Sequence, residues 1–148
     1  MIFNSQSFQN NKQLPNKFTC NGKKTFPNLN WSDFPTETKS FALILEDPDA
    51  VEGKTFVHFL VINIPANATS LTEGDSTKIP GTPIVNDGGT ISYVPPCPPI
   101  RTGNHRYIFK IFALNIKQVD GVNKDNFYEI IKANVIDQAE IITYYERV

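Results

Sequence analysis

The 148-residue chain has few of the features that mark a specialised class of protein. It has only two cysteines, no run of apolar residues long enough for a membrane helix, and no cluster of lysine or arginine. A membrane helix needs about 18–20 apolar residues, and a nucleic-acid backbone is bound by several grouped cations. The 14 basic and 15 acidic side chains give a net charge of −1. We therefore expect neither a nucleic-acid partner nor membrane insertion.

The shortage of cysteine and of targeting signals also bears on the cellular compartment. The first 18 residues lack a basic start followed by an apolar run, and they lack a small-residue cleavage site. These features mark secretory signals. Cys20 and Cys97 lie far apart and have no CxxC spacing. The expectation is a cytoplasmic protein in which both thiols are free.

The composition indicates one globular domain over residues 1–148. Hydrophobic residues make up 40% of the chain and aromatic residues 11%, which excludes a disordered or collagen-like protein. No repeat and no linker divides the chain. A domain of this size buries about 68–70% of its unfolded surface. A core can therefore form without support from a metal or a disulfide.

Strand patterns dominate the chain. Residues 40–47, 58–64 and 105–114 are short apolar segments rich in β-branched and aromatic side chains. Such segments are typical of strands covered on both faces, and a further strand is predicted at 139–145. The segments between them are rich in Pro, Gly, Asn and Asp, which favour turns.

Only one segment, residues 124–135, has the spacing of an amphipathic helix. The apolar positions on its common face are Phe127, Ile130, Ile131 and Val135. Asn123 precedes this segment and is a suitable N-cap residue. The predicted fold class is mostly β, with one C-terminal helix.

Polar side chains stand at the ends of the three predicted core strands. Side chains alternate across a strand, so Asp47 ends one apolar row, while His58 and His105 each begin another. The row of the first histidine continues with Leu60, Ile62 and Ile64. If the strands are neighbours, these polar ends meet at one rim of the core. That arrangement is typical of a pocket.

Two enzymatic alternatives use the same residues. Two histidines and an aspartate form one kind of metal site, but the compact spacing of recognisable metal motifs is absent. Ser40, Ser92 or Cys97 are candidate nucleophiles, but no GxSxG sequence supports any of them. We expect no metal and no cofactor.

A proline-rich segment, Pro95-Pro96-Cys97-Pro98-Pro99, precedes the second histidine. Proline fixes the backbone angle φ and has no amide hydrogen, so the segment is expected to be stiff, with the Cys97 amide as its only backbone donor. Either a binding wall or a rigid surface turn fits this pattern.

Several motifs follow one another in an order that resembles a known family. They are Phe18-Thr19-Cys20-Asn21-Gly22, Pro27 to Trp31, Thr38 to Leu43, Asp47-Pro48-Asp49-Ala50, His58, Asn63-Ile64-Pro65, Asn86-Asp87-x-Gly89, Tyr93-x-x-Pro96-Cys97-Pro98-Pro99, His105-Arg106-Tyr107 and Ala139 to Tyr145. Together they resemble the phosphatidylethanolamine-binding proteins, which include the Raf kinase inhibitor proteins. The likeness covers nearly the whole chain and is greatest to the bacterial and archaeal branch.

The resemblance implies a β-sandwich with a large central sheet and a pocket at one end that binds anions such as phosphate groups. It also implies a homodimer, to which Tyr144 and Tyr145 are expected to contribute. Carried over to this chain, the ligand-binding residues are Asp47, Asp49, His58, Cys97, Pro99, His105 and Tyr107. The chain departs from the family pattern at Val51, Phe59, Pro95 and Arg101.

The leading hypothesis is therefore a binding module for a small anionic ligand, without catalysis. One alternative is an inhibitor that binds a kinase or protease through the rim of the pocket. The other is a hydrolase or metal enzyme that uses the histidines and Asp47.

Overall fold

The computed structural model describes residues 1–148 and consists mainly of β-strands. The strands are β1 (Ile2–Asn4), β2 (Lys12–Gln13), β3 (Leu29–Ser32), β4 (Ser40–Asp47), β5 (Phe56–Pro65), β6 (Ser70–Leu71), β7 (Thr82–Pro83), β8 (His105–Leu114) and β9 (Val135–Tyr145). One α-helix, α1 (Phe127–Ile131), lies between β8 and β9, and short 3₁₀ turns span Asn16–Phe18, Val51–Gly53 and Ser76–Lys78. No helix has the length and apolar character that a membrane span needs.

The strands form two sheets. The larger sheet has six strands in the order β2-β9-β8-β4-β5-β7, and the smaller has three in the order β1-β3-β6. Neighbouring strands are antiparallel except for β2 and β9, which are parallel. The three predicted core strands are thus neighbours, with β4 between β5 and β8.

Strand β4 is buried along its whole length because both faces of the large sheet are covered. On one face, Phe41, Leu43 and Leu45 belong to a cluster of 20 buried residues that includes Trp31 of the small sheet. On the other face, Ile44 belongs to a cluster of 10 buried residues that includes residues of α1. The continuous apolar sequence of β4 follows from this double coverage. The predicted β-sandwich is confirmed.

The helix is shorter than the sequence predicts. It covers Phe127–Ile131 instead of residues 124–135, and Val135 begins β9. The Asn123 side chain accepts hydrogen bonds from the amides of Asp125 and Asn126, so it forms a turn before the helix and does not cap it.

The backbone turns away from the helical path after Ile131 because Asn134 is hydrogen-bonded to Asn115, the residue that follows β8. Its carbonyl oxygen accepts the Asn115 amide at 3.0 Å, and its side-chain amide donates to the Asn115 side chain at 2.9 Å. Helical periodicity continues in the sequence past the point where these tertiary bonds redirect the backbone.

The prediction of free thiols is wrong. Cys20 and Cys97 form a disulfide, with their Cα atoms 5.3 Å apart, although 77 positions separate them in the chain. The fold brings the two segments together, and the Cys20 amide donates to the Pro96 carbonyl oxygen at 3.1 Å. No short-range spacing between cysteines in the sequence indicates this pairing. The disulfide removes one of the two reasons for which a reducing compartment was expected, the free thiols.

Candidate functional site

The ends of three neighbouring strands bring polar side chains together at one end of the large sheet. Asp47 is the last residue of β4, His58 lies near the start of β5, and His105 is the first residue of β8. All three are buried. Tyr107, two positions into β8, lies between the histidines, with ring centroids 5.3 Å from His58 and 6.3 Å from His105.

A β-bulge places His58 in this group. Leu45 pairs with Phe59 and Glu46 pairs with Val57, so His58 has no partner on β4. A bulge adds one residue to a strand and redirects the side chains around it. The predicted common row of His58 with Leu60, Ile62 and Ile64 is therefore wrong for Leu60 and Ile62, which pack in the cluster on the helix side. Ile64 packs in the larger cluster, on the face of the sheet that carries the pocket, because a second register shift follows further along β5.

These side chains form the floor of a cavity of about 270 Å³. Its polar lining residues are Asp47, His58, His105 and Tyr107. Its walls are mainly apolar and are formed by Ala50, Val51, Phe56, Val94, Pro95, Cys97, Pro98 and Pro99. A few polar groups at the base of an apolar cavity are typical of a small-molecule site.

The floor contains a chain of hydrogen bonds centred on His105. Its Nδ1 lies 2.8 Å from Asp47 Oδ2, and its Nε2 lies 2.9 Å from Thr102 Oγ1. The Thr102 hydroxyl also lies 2.6 Å from the Pro99 carbonyl oxygen. The second carboxylate oxygen of Asp47 accepts the Asp49 amide at 2.7 Å. Both ring nitrogens of His105 are thus bound within the protein.

The Thr102 hydroxyl joins His105 to the proline-rich segment. A carbonyl oxygen only accepts, so the hydroxyl donates to Pro99 while its oxygen lies beside His105 Nε2. On the other side of the ring, Nδ1 and the Asp47 carboxylate form a buried pair. Both carboxylate oxygens of Asp47 therefore have partners within the protein.

His58 differs from His105 because only one of its ring nitrogens is bound within the protein. Its Nδ1 donates to the Val94 carbonyl oxygen at 2.8 Å, and its Nε2 makes no hydrogen bond in the protein. Burial lowers the pKa of His58 below 6.5, while the bond to Val94 and the charge of Asp47 act in the other direction. The ring is neutral at neutral pH, and Nε2 is left for a ligand.

Tyr107 and Cys97 supply two further donors. Burial, and then the charge of Asp47, raise the pKa of Tyr107, so its phenol keeps its hydrogen. The Cys97 amide makes no hydrogen bond within the protein. The Tyr107 hydroxyl also bonds to Asp47, so the groups that have no partner within the protein are His58 Nε2 and the Cys97 amide.

Asp49 lies outside the cavity lining. Its two carboxylate oxygens accept hydrogen bonds of 2.7–2.9 Å from the side chain and amide of Arg106. The side-chain bond to Arg106 lowers the pKa of Asp49 to about 2. This pair joins the turn after β4 to the start of β8.

The structure therefore brings together six of the seven predicted ligand-binding residues and leaves Asp49 at the surface. Sequence reasoning missed Thr102 and Val94, the partners of the two histidines. Neither forms part of a chemical motif, since Thr102 acts through its hydroxyl and Val94 through its carbonyl oxygen.

The four positions that depart from the family pattern lie in different parts of the structure. Val51 and Pro95 line the cavity. Phe59 is buried in the larger core cluster, and Arg101 is exposed with a positive φ of 69°.

The residues proposed for the enzymatic alternatives are mostly engaged elsewhere. Ser40 donates to the Ile116 carbonyl oxygen at 2.6 Å, and Cys97 is in the disulfide. No group of three or more His, Cys, Asp or Glu side chains is placed to hold a metal ion.

Comparison with known proteins gives relatives along the whole chain. A UPF0098 protein of Aquifex aeolicus is 39% identical over 150 residues, covering 97% of this chain and 86% of the relative. A UPF0098 protein of Methanothermobacter thermautotrophicus is 35% identical, covering 99% of each.

Solved structures show the same fold. Escherichia coli YbcL, described as a member of the mammalian PEBP family, superposes with a TM-score of 0.91 at 32% identity, covering 99% of this chain and 98% of YbcL. A PEBP homolog of Chlamydia trachomatis superposes with a TM-score of 0.89 at 36% identity, covering 99% and 97%. The family model for phosphatidylethanolamine-binding protein matches residues 4–146. The chain belongs to the phosphatidylethanolamine-binding protein family.

Proposed function

We propose that this protein binds a small ligand that carries an anionic group on an apolar body, and that it does so without catalysis. The observation that carries the proposal is the unused hydrogen-bonding capacity at the base of an apolar cavity. The anionic group binds His58 Nε2 and the Tyr107 hydroxyl, and the walls formed by Val51, Phe56 and Pro99 contact the apolar body.

The charge of the floor supports an anionic ligand. The Asp47 carboxylate is paired with His105, and both of its oxygens already have hydrogen-bond partners within the protein. His58 is neutral in the free protein because of its burial, and an anion at Nε2 stabilises its protonated form. Binding therefore takes up a proton at neutral pH, and affinity rises as the pH falls.

The absence of a paired nucleophile supports binding without turnover. The Thr102 hydroxyl contacts His105, but it donates its hydrogen to Pro99 and does not line the cavity. A hydroxyl that is activated by a histidine donates its hydrogen to that histidine.

Calorimetric titration with sulfate at pH 5.5 and pH 8 tests the proposal. Sulfate keeps its double charge across this range, so only the protein titrates. We expect tighter binding at the lower pH, together with a heat at neutral pH that depends on the buffer because a proton is taken up. Affinity that is equal at both values contradicts the role of His58.

Two His58 variants separate charge from hydrogen bonding. His58→Asn keeps a donor to Val94 and removes Nε2, whereas His58→Gln keeps a neutral donor near Nε2. We expect His58→Asn to abolish binding. His58→Gln should bind weakly and independently of pH.

The homodimer and a kinase or protease partner stay predictions. Tyr145 cannot contribute to a dimer surface as expected, because it is buried and its hydroxyl contacts Asn16 and Asn21. Tyr144 is half-buried. Light scattering tests for a mass twice that of the 16.6 kDa chain.

A further inference from the structure

The disulfide lies in a wall of the pocket. We call residues 94–99 the proline-rich wall; it lines the cavity, and Cys97 is near its centre. Cys20 belongs to the turn that follows the 3₁₀ segment Asn16–Phe18. The covalent bond therefore joins the pocket to a part of the molecule that lines no part of it.

Hydrogen bonds hold the two ends of the proline-rich wall, where the Val94 amide donates to the His58 carbonyl oxygen at 3.0 Å and the Pro99 carbonyl oxygen accepts the Thr102 amide at 3.3 Å, whereas its centre has fewer. Four of its six residues are prolines and have no amide hydrogen, and the Cys97 amide has no partner. Near the disulfide, the Pro96 carbonyl oxygen accepts the Cys20 amide, and the Pro98 carbonyl oxygen accepts Arg147 Nε at 2.8 Å. The first of these two bonds joins the same two segments as the disulfide.

The proline-rich wall orients both histidines of the pocket. Its first residue, Val94, accepts the hydrogen of His58 Nδ1. Its last residue, Pro99, accepts the hydroxyl hydrogen of Thr102, which in turn binds His105 Nε2. Movement of the wall would therefore change hydrogen bonds that orient both rings.

We propose that Cys20 and Cys97 form a redox-sensitive clamp that sets the ligand affinity of the pocket. This inference rests on the proposed binding function. With the disulfide formed, the proline-rich wall holds His58 and His105 in the binding arrangement. With the disulfide reduced, the wall moves and affinity falls.

The site is open to thiol–disulfide exchange because Cys97 is exposed, whereas Cys20 is half-buried. A thiolate of a small dithiol attacks Cys97 Sγ and forms a mixed disulfide, and Cys20 leaves as a thiolate that takes up a proton. The second thiol of the reductant then displaces Cys97, which is also protonated. The dithiol loses two electrons and two protons and becomes a cyclic disulfide, and the protein gains two thiols.

Imidazole NMR tests the clamp without a ligand. The chain has only two histidines, so their ring nitrogen signals are directly assignable. We expect dithiothreitol to change the ring signals of both His58 and His105 while the amide signals of β4 stay in place. Ring signals that do not change on complete reduction, as checked by thiol titration, overturn the proposal. Loss of all folded signals overturns it as well, because the disulfide is then a structural support only.

Titration with inorganic phosphate tests the effect on binding. We expect reduction to weaken phosphate binding at least tenfold in the native protein. The double variant Cys20→Ser, Cys97→Ser should bind like the reduced protein, and dithiothreitol should not change it further. Equal affinity of the oxidised and reduced forms overturns the proposal.

The proposed binding function and the redox-sensitive clamp can be disproved independently of each other. If the oxidised protein binds neither phosphate nor sulfate, the proposed function is wrong, and the imidazole signals alone decide whether the clamp exists. If the oxidised protein binds and reduction changes nothing, only the clamp is wrong.

Discussion

Two neighbouring carboxylates of β4 belong to clusters of similar composition on opposite faces of the large sheet. Asp47 pairs with His105 of β8, beside Tyr107. Glu46 pairs with Lys110 of β8 at 2.6 Å and also accepts the Tyr128 hydroxyl at 2.7 Å. We call Glu46, Lys110 and Tyr128 the closed cluster.

The clusters differ in what they leave unbound. In the closed cluster, Lys110 Nζ also contacts the Tyr128 hydroxyl at 3.1 Å, so each polar group is bound by the other two. In the pocket, His58 Nε2 has no bond within the protein and faces a cavity with mainly apolar walls. The closed cluster also borders a cavity, but its three side chains bind one another. A carboxylate, a cation and a tyrosine thus do not identify a binding site. Unused hydrogen-bonding capacity beside a cavity does.

The largest expected difference between the two clusters is in the free energy of unfolding after the His105 or the Lys110 side chain is removed. The Asp47 and His105 side chains are 5% and 3% exposed, whereas the Glu46 and Lys110 side chains are 9% and 26% exposed. His105→Ala leaves a buried carboxylate without its partner and should lower the free energy of unfolding by about 3 kcal/mol. Lys110→Ala should cost about 1 kcal/mol. Urea denaturation at pH 7 measures both, and equal losses would contradict the buried pairing of Asp47 with His105.

A second test compares the two tyrosines. Tyr107→Phe removes a donor to the ligand and should weaken phosphate binding about tenfold, since a hydrogen bond to a charged group contributes about 1.5–3 kcal/mol. Tyr128→Phe removes the same hydroxyl from the closed cluster and should leave binding unchanged. Calorimetric titration of both variants measures the difference. If Tyr128→Phe has the larger effect, the ligand binds on the opposite face.

Acid sensitivity provides a third test. Burial lowers the pKa of His58 in the folded protein, so the unfolded chain binds the proton first as the pH falls. Stability from the neutral ring is present above pH 6.5 and is lost below it. His58→Asn should therefore lose less stability than the native protein between pH 7 and pH 5. Lys39→Met should keep the native pH dependence, because Lys39 is exposed and lysine stays protonated over this range.

The smallest effect is expected at the surface pair of Asp49 and Arg106. The pKa of about 2 means that this bond contributes above pH 4 and is lost as the pH falls through 2. Both side chains are partly exposed, 31% and 46%, so Asp49→Asn should cost under about 1 kcal/mol at pH 7. Its phosphate affinity should match that of the native protein. A large loss of phosphate affinity in Asp49→Asn would indicate that Asp49 contacts the ligand after all.

The strands of the sheet centre were predictable because their signal is local. The apolar runs of β4 and β8 begin and end in the structure where the sequence predicts, at 40–47 and 105–114. A strand that is covered on both faces requires a continuous apolar sequence. The burial of β4 and β8 can therefore be predicted directly from the sequence. The motifs around Asp47, His58 and His105 also indicated the family, which the comparisons confirm.

Other features depend on contacts between distant segments. Only the tertiary structure decides that Cys20 meets Cys97, that Asn134 ends the helix, and that a bulge directs His58 into the cavity. Pairing of distant residues leaves no spacing signal, and one inserted residue reverses every later side chain on a strand.

The sequence by itself determined which chemical groups the pocket contains, since strand ends place polar residues beside an apolar core. Only the tertiary structure decided which of them are free to bind. Thr102 occupies one nitrogen of His105, Arg106 occupies Asp49, and Val94 leaves one nitrogen of His58 open. Availability is a property of hydrogen-bond partners, and these partners are backbone carbonyls and side chains that fold into place from elsewhere in the chain.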